Sequence, residues 1–244
     1  MVLAAGLGLR LRPLTNKLPK PLLELAGRTL LDRALDHLHA FGVSTVVINL
    51  HYLGNLIEAH LANRNSPSVV YSHEEDLLLE TGGGVTKALP VLGEKSFFVI
   101  NSDITWTDGS QPALRWLTCS WDSTEMDALL LLHPVEAATG YNGAGDYSIK
   151  VLDHPGMPAI GQLNRRGDRS SAPFVFTGVQ ILHPRLFGGA PEGPFSLTQL
   201  YDRAEQAGKL YGIVHDGDWH HIGTPSGLIE ACLLYTSPSP RDRG

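Results

Sequence analysis

Near the amino terminus, the run LAAGLGLRLRPLTNKLPKP places two glycines and four cations in one loop: Gly6, Gly8, Arg10, Arg12, Lys17 and Lys20. Glycine lacks a Cβ, so its backbone N–H can come close to an anion and help cradle phosphate oxygens. A glycine pair alone fits a plain turn equally well. The cations carry the reading further, because the chain as a whole is acidic, with a formal net charge of −6. Lys17 by itself reads as solvated surface charge. Lys20 differs, because Pro19 and Pro21 restrict the backbone on both sides of it and can aim its ammonium group. Arg10 and Lys20 are therefore the candidate functional cations. The loop is not a dinucleotide fingerprint: Leu11 stands at the third glycine position and Pro13 obstructs an immediate helix. It also lacks the Gly-Lys-Ser/Thr ending of a P-loop. A nicotinamide-dependent oxidoreductase is disfavoured on these grounds.

A second chemical candidate is Asp103, which follows the apolar run SFFVIN over Ser96 to Asn101. An aspartate there can hold a metal or cap a turn. No Ser-His-Asp or paired-carboxylate arrangement is evident. Cys119 and Cys232 are far apart and match no zinc spacing, so a reducing, cytoplasmic setting is expected. The acidic balance argues against binding to nucleic acid or an anionic membrane. The opening VLAA stops far short of the roughly 20 apolar residues that a membrane span needs.

These groups need a scaffold. Val2 to Ala5 reads as a strand and Thr29 to Phe41 as an amphipathic helix ending at Gly42. Val43 to Leu50 reads as a strand buried on both faces, Leu53 to Ala62 as a helix and Ser68 to Ser72 as a strand. Thr81 to Gly84 reads as a glycine turn before a short helix near Val85 to Leu89. This βαβα alternation predicts an α/β fold, a doubly wound and mostly parallel Rossmann-like sheet with ligands beyond the strands' carboxyl ends. The second half reads differently. Ala128 to His133, Tyr147 to Leu152, Ala159 to Asn164 and Pro173 to His183 are strand-like with few helices between them. They predict a separate antiparallel layer or a mixed extension of the sheet. A helix capped by Ser196, with Gln199 completing a capping box, a strand over Leu210 to His215 and a helix from Pro225 to Leu234 follow. Residues 1–234 are read as one domain, whose two halves divide at about residue 125. Residues 235–244, rich in Ser, Pro and Arg, are expected to be a disordered, non-native tail.

Taken in order, the motifs resemble those of the sugar-1-phosphate nucleotidyltransferases. The resemblance is carried by Gly6 to Thr15 with Pro19-Lys20-Pro21, then Glu80-Thr81-Gly82-Gly83-Gly84 and Asn101-Ser102-Asp103. Phe176-Thr177-Gly178 and Trp219 through Gly223-Thr224 complete the set. It spans about residues 2 to 230 and looks closest to the short N-acetylmuramic acid 1-phosphate uridylyltransferases, with mannose-1-phosphate guanylyltransferases next. The resemblance implies that a sugar 1-phosphate attacks a nucleoside triphosphate and releases pyrophosphate. It implies catalytic roles for Arg10, Lys20 and Asp103. Ala4, Ala5, Gly6, Gly8, Arg10, Arg12, Lys20, Gly82, Gly83 and Asn101 would contact the nucleotide, and Glu80, Thr177 and Gly178 the sugar. Asp103 would hold magnesium, with manganese as the alternative. The family pattern breaks at one place: His221 stands where relatives carry a second metal-binding aspartate. It stands open between a metal ligand, a contact to phosphate or metal-bound water, and a packed ring in a silent site. A nucleotide-sugar-sensing or assembly subunit on the same fold is thus the competing class.

Overall fold

The computed structural model describes residues 1–152 and 159–236. β1 (Val2–Leu3) leads through the cationic loop to a small hairpin, β2 (Glu24–Leu25) and β3 (Arg28–Thr29), and then to α1 (Leu30–Phe41). Thr29 caps α1 by accepting from the Asp32 N–H at 3.0 Å, and Gly42 ends it at φ +98°. Its stripe of Leu30, Leu31, Ala34, Leu35 and Leu38 is buried as the spacing requires. Phe41, expected on that face, is exposed, its ring edge-on to Phe98. β4 (Thr45–Leu50), α2 (Gly54–Leu61), β5 (Ser68–His73), α3 (Glu80–Leu92), β6 (Phe97–Asn101), β7 (Ile104–Trp106) and α4 (Ala113–Ser120) complete the first half. Then come β8 (Ala128–Pro134), β9 (Tyr147–Leu152), β10 (Ile160–Arg165), β11 (Phe174–Leu182), α5 (Thr198–Gln206), β12 (Leu210–Val214), β13 (Trp219–His221) and α6 (Pro225–Thr236).

Nine strands form one sheet, ordered β5-β4-β1-β6-β11-β8-β12-β10-β9. The first four run parallel. β11 is antiparallel to both β6 and β8, β12 is parallel to β8, and β10 is antiparallel to β12 and β9. The second half is thus a mixed extension of the same sheet. Alternate residues of the buried strands point to opposite faces: Ile48, Leu129 and Leu131 pack with α1, α2 and α4, while Val47, Leu130 and Leu132 pack with α3 and α5. The chain moves outward from β1 to β5 and then returns to β6 on the other side of β1. That reversal opens a crevice at the carboxyl ends of β1 and β6.

Three local expectations need correction, and one helix was not foreseen. The glycine run is not a turn before α3 but its first turn, because loop 193–195 packs so closely that side chains do not fit. A Cβ on Gly82 would lie 2.2 Å from Cε2 of Phe195, and one on Gly83 2.4 Å from the Gly193 carbonyl oxygen. Ser196 does not take the N-cap position of α5, which falls to Leu197; its hydroxyl donates to the Thr198 hydroxyl at 3.1 Å and accepts from the Thr198 N–H at 3.3 Å, one residue further from the helix than expected. The sequence reading missed α4, whose buried Ala113, Leu114 and Leu117 cover only two turns. α6 continues over Tyr235–Thr236, inside the expected tail, whose remaining residues 237–244 lie outside the described residues.

The Gly82 contact has a measurable consequence. Gly82→Ala is expected to destabilise the fold by about 1–3 kcal/mol, the usual penalty for overpacking. Thermal unfolding should shift down by about 2–4 °C for each kcal/mol in a chain of this size. An unchanged midpoint would show that the α3 start and loop 193–195 are not in tight contact.

Candidate active site

β1 and β6 are adjacent and parallel, with Leu3 opposite Asn101 in register. Whatever follows their carboxyl ends must therefore share one space. After β1 comes the cationic loop, and after β6 comes Asp103. Ser102 stitches the two together, its N–H and hydroxyl both donating to the Leu3 carbonyl at 3.2 and 2.6 Å. The resulting cleft has a volume of about 560 Å³, within the range of small-molecule sites.

The loop is shaped by Gly8, at φ +62° on the lip of a 3-10 turn over Leu9–Leu11. Only glycine adopts that conformation readily, and a Cβ there would also lie 3.0 Å from Cγ2 of buried Thr15. The Thr15 hydroxyl closes the turn by donating to the Gly8 carbonyl at 2.8 Å. Gly6 is different. A Cβ on it meets no protein atom within 4 Å, and the residue lines the cleft. The protein's own packing therefore leaves room for a side chain at Gly6.

Arg10, Lys20 and Asp103 line this one cleft. Lys20 Nζ donates to Asp103 Oδ2 at 2.8 Å, with 12% of the lysine side chain and 26% of the aspartate side chain exposed. His221 Nε2 stands 3.8 Å from the same oxygen. Burial pushes the Asp103 carboxyl up, but Lys20 and His221 outweigh it and hold the group well below the usual carboxylate range. His221 reaches Asp103 because β13 pairs antiparallel with β7: His221 lies opposite Ile104, and the Ile222 N–H donates to the Asp103 carbonyl at 2.9 Å. Its ring lies parallel to that of Trp219 at 6.0 Å, and a Cβ on Gly223 would come within 2.5 Å of it.

The other expected residues divide. Ala4, Ala5, Gly6, Gly8, Glu80 and Asn101 also line the cleft. Arg12 does not: the turn buries Leu11, and the chain leaves it extended, with the Arg12 side chain exposed. Lys17 is likewise exposed and off the cleft wall. Gly82 and Gly83 are buried away from the cleft, and both N–H groups donate to the Phe195 carbonyl, at 2.8 and 3.3 Å. Both glycines pack against loop 193–195. Thr177 is fully buried, its hydroxyl donating to the Leu131 carbonyl at 2.8 Å, while its own carbonyl accepts from Trp219 Nε1 at 3.0 Å. Gly178, at φ +88° in the irregularity of β11 between Phe176 and Gln180, lies where a Cβ would meet the Asn101 amide at 2.9 Å. The Phe-Thr-Gly motif thus shapes the strand that lets Asn101 reach the cleft. Asn49 lines the cleft as well and was missed. The signal was present, since Asn49 is the one polar side chain in the run VVINL.

Comparisons with known proteins identify the family and the fold. Residues 1–144 match the family model described as Nucleotidyl transferase. An N-acetylmuramate alpha-1-phosphate uridylyltransferase of Caulobacter vibrioides is 40% identical over 95% of this chain and 94% of its own length. One from Neisseria meningitidis serogroup B is 32% identical over 96% of each chain. Among solved structures, a UDP-glucose pyrophosphorylase from Acinetobacter baumannii superposes with a TM-score of 0.77 at 18% identity, covering 98% of this chain and 94% of that one.

The Lys20–Asp103 pair makes stability depend on pH in a defined direction. A carboxyl held low in the folded state stabilises it above the unfolded value of about 3.9, and that contribution fades as pH falls toward the folded value. The stability difference between wild type and Asp103→Asn, measured by urea unfolding, should be present at neutral pH and shrink below about pH 4. A difference that persists unchanged on acidification would mean that the carboxylate is not held by this pairing.

Proposed function

The chain belongs to the nucleotidyl transferase family, and from that premise we propose that it transfers a uridylyl group from UTP to N-acetylmuramate 1-phosphate, releasing pyrophosphate. It is a sugar-1-phosphate nucleotidyltransferase; the choice of base and sugar follows the names of the two relatives at 40% and 32% identity. The observation that carries the mechanism is the convergence of Arg10, Lys20 and Asp103 on one cleft. The residues before about 126 serve the nucleotide and those after it the sugar phosphate. No described helix is long and apolar enough to cross a membrane; a cytoplasmic setting is part of the proposal.

The chemistry needs little from acid–base groups. A phosphate monoester loses its second proton near pH 6, so the attacking oxygen is already anionic at neutral pH. That oxygen forms a bond to the α-phosphorus of the triphosphate, and the bond from the α-phosphorus to the bridging oxygen breaks with its electrons leaving on pyrophosphate. The barrier to overcome is repulsion. One pair of like unit charges at 4 Å costs about 4 kcal/mol at an effective dielectric near 20, and several pairs meet here. Arg10 offsets the charge of the leaving pyrophosphate, and Lys20 that of the phosphates at the reacting position. Lys20 is held in the cleft by Asp103, so its ammonium is placed before substrate arrives.

A divalent ion fits the donor set at Asp103 and His221, one carboxylate and one imidazole. Among the described residues no group of three or more such side chains occurs, so substrate phosphate oxygens would have to complete its shell. When bound, the ion would neutralise phosphate charge. An imidazole donor suits manganese better than magnesium.

A matrix of UTP, GTP and dTTP against N-acetylmuramate 1-phosphate, mannose 1-phosphate and glucose 1-phosphate, read by pyrophosphate release, tests the proposal. The highest kcat/KM is expected for UTP with N-acetylmuramate 1-phosphate; a preference for GTP with mannose 1-phosphate, or no release in any well, would refute it. Asp103→Asn should lower turnover by about 100-fold or more while the protein stays folded. In the same assay, exchanging magnesium for manganese should change the rate of the wild type more than that of His221→Asp. Equal responses would exclude His221 as a ligand.

A further inference from the structure

Two buried polar side chains outside the catalytic set join the two elements on which the nucleotide would rest. Asn49, 2% exposed near the end of β4, accepts on Oδ1 from the Ala4 N–H at 2.9 Å. Its Nδ2 donates to Glu74 Oε1 at 2.7 Å, and Glu74 Oε2 accepts from the Leu79 N–H at 2.8 Å. Glu74 is 1% exposed and fixed at its own backbone, its N–H donating to the Leu50 carbonyl at 2.8 Å and its carbonyl standing 2.6 Å from His51 Nδ1. The direction of each bond is settled by chemistry, because a backbone N–H only donates and a carboxylate only accepts. Helix α3 closes over this chain through Gly84. A Cβ there would lie 2.8 Å from Glu74 Oε1 and 2.9 Å from Asn49 Nδ2. The third glycine of the run is thereby explained by what it covers.

We infer that Asn49 and Glu74 form a positioning pair that holds the start of the phosphate loop at Ala4 in fixed relation to the start of α3 at Leu79, and that affinity for the nucleoside triphosphate depends on it. The inference rests on the nucleotidyl transfer proposed above. Ala4 stands two residues before Gly6 and four before Gly8, so a shift of its peptide re-aims both backbone donors. Asn49 lies on the cleft wall and Glu74 does not. An effect of Glu74 on nucleotide binding must therefore be transmitted through the hydrogen bonds.

Glu74→Gln keeps the shape but provides one acceptor where two donors converge. It should raise the KM for the triphosphate by about 10-fold or more, the scale of a lost hydrogen bond to a charged group, with kcat changed by less than about threefold. The double variant Asn49→Asp with Glu74→Gln reverses the chain without loss: the new carboxylate accepts from the Ala4 N–H and from the new amide, whose oxygen accepts from the Leu79 N–H. Net charge is unchanged, and KM should return to within about threefold of wild type, the signature of a coupled pair. A Glu74→Gln variant with lowered melting temperature but unaltered KM would reduce the pair to a structural one and overturn the inference. So would a double variant no better than the worse single. Amide hydrogen exchange at Ala4 needs no substrate and should be about 10-fold faster in Glu74→Gln. If the wild type released no pyrophosphate, the functional proposal would fail while unchanged exchange at Ala4 would still decide against the pair.

Discussion

The site depends on one ion pair. Lys20 and Asp103 are 83 residues apart in sequence, and their 2.8 Å contact joins the group suited to phosphate with the group suited to a cation. Each is partly buried, and each would be poorly solvated without the other. The pairing keeps Asp103 ionised and holds Lys20 in the cleft. It also leaves both groups open to exchange partners when phosphate oxygens enter, because the aspartate retains some exposure.

That contact is a product of strand order. β1 and β6 are neighbours only because the chain reverses direction in the sheet after β5. Had β6 continued outward beside β5, Asp103 would be three strands away from the cationic loop. A second, shorter ladder between β7 and β13 then brings the far end of the chain back, so that His221 faces the same carboxylate. Three segments from distant parts of the sequence thus meet over a few ångströms. Backbone pairing, and not side-chain affinity, brings them there.

Much of this was readable before any coordinates. The alternating elements of the first half and the strands of the second emerge from apolar patterning, and the cationic loop and Asp103 emerge from charge set at strand ends. What was not readable is instructive. Why residues 82 and 83 are glycine is not legible in a sequence, because a missing side chain does not reveal which neighbour excludes it; here the neighbours are Phe195 and Gly193. Thr177 and Gly178 likewise belong to a strand irregularity whose purpose is visible only once Asn101 is seen beside it. Arg12 shares the charge of Arg10 but not its direction, since one buried leucine between them sets where the chain turns. Asn49 was marked only by its polarity within VVINL and Glu74 not at all: besides each other, they bond the backbone N–H groups of Ala4 and Leu79, which carry no sequence identity.

The central claim is that a cation positioned in advance, and not an acid or base, lets two phosphate anions react. The most direct measurement is the single-turnover rate of Lys20→Met, which keeps an unbranched apolar stem one atom shorter while removing the charge. The account predicts a fall of about 100-fold or more with the pH profile above pH 7 unchanged in shape, since no proton transfer is lost. A rate near that of the wild type, or a loss recovered by raising pH, would contradict it.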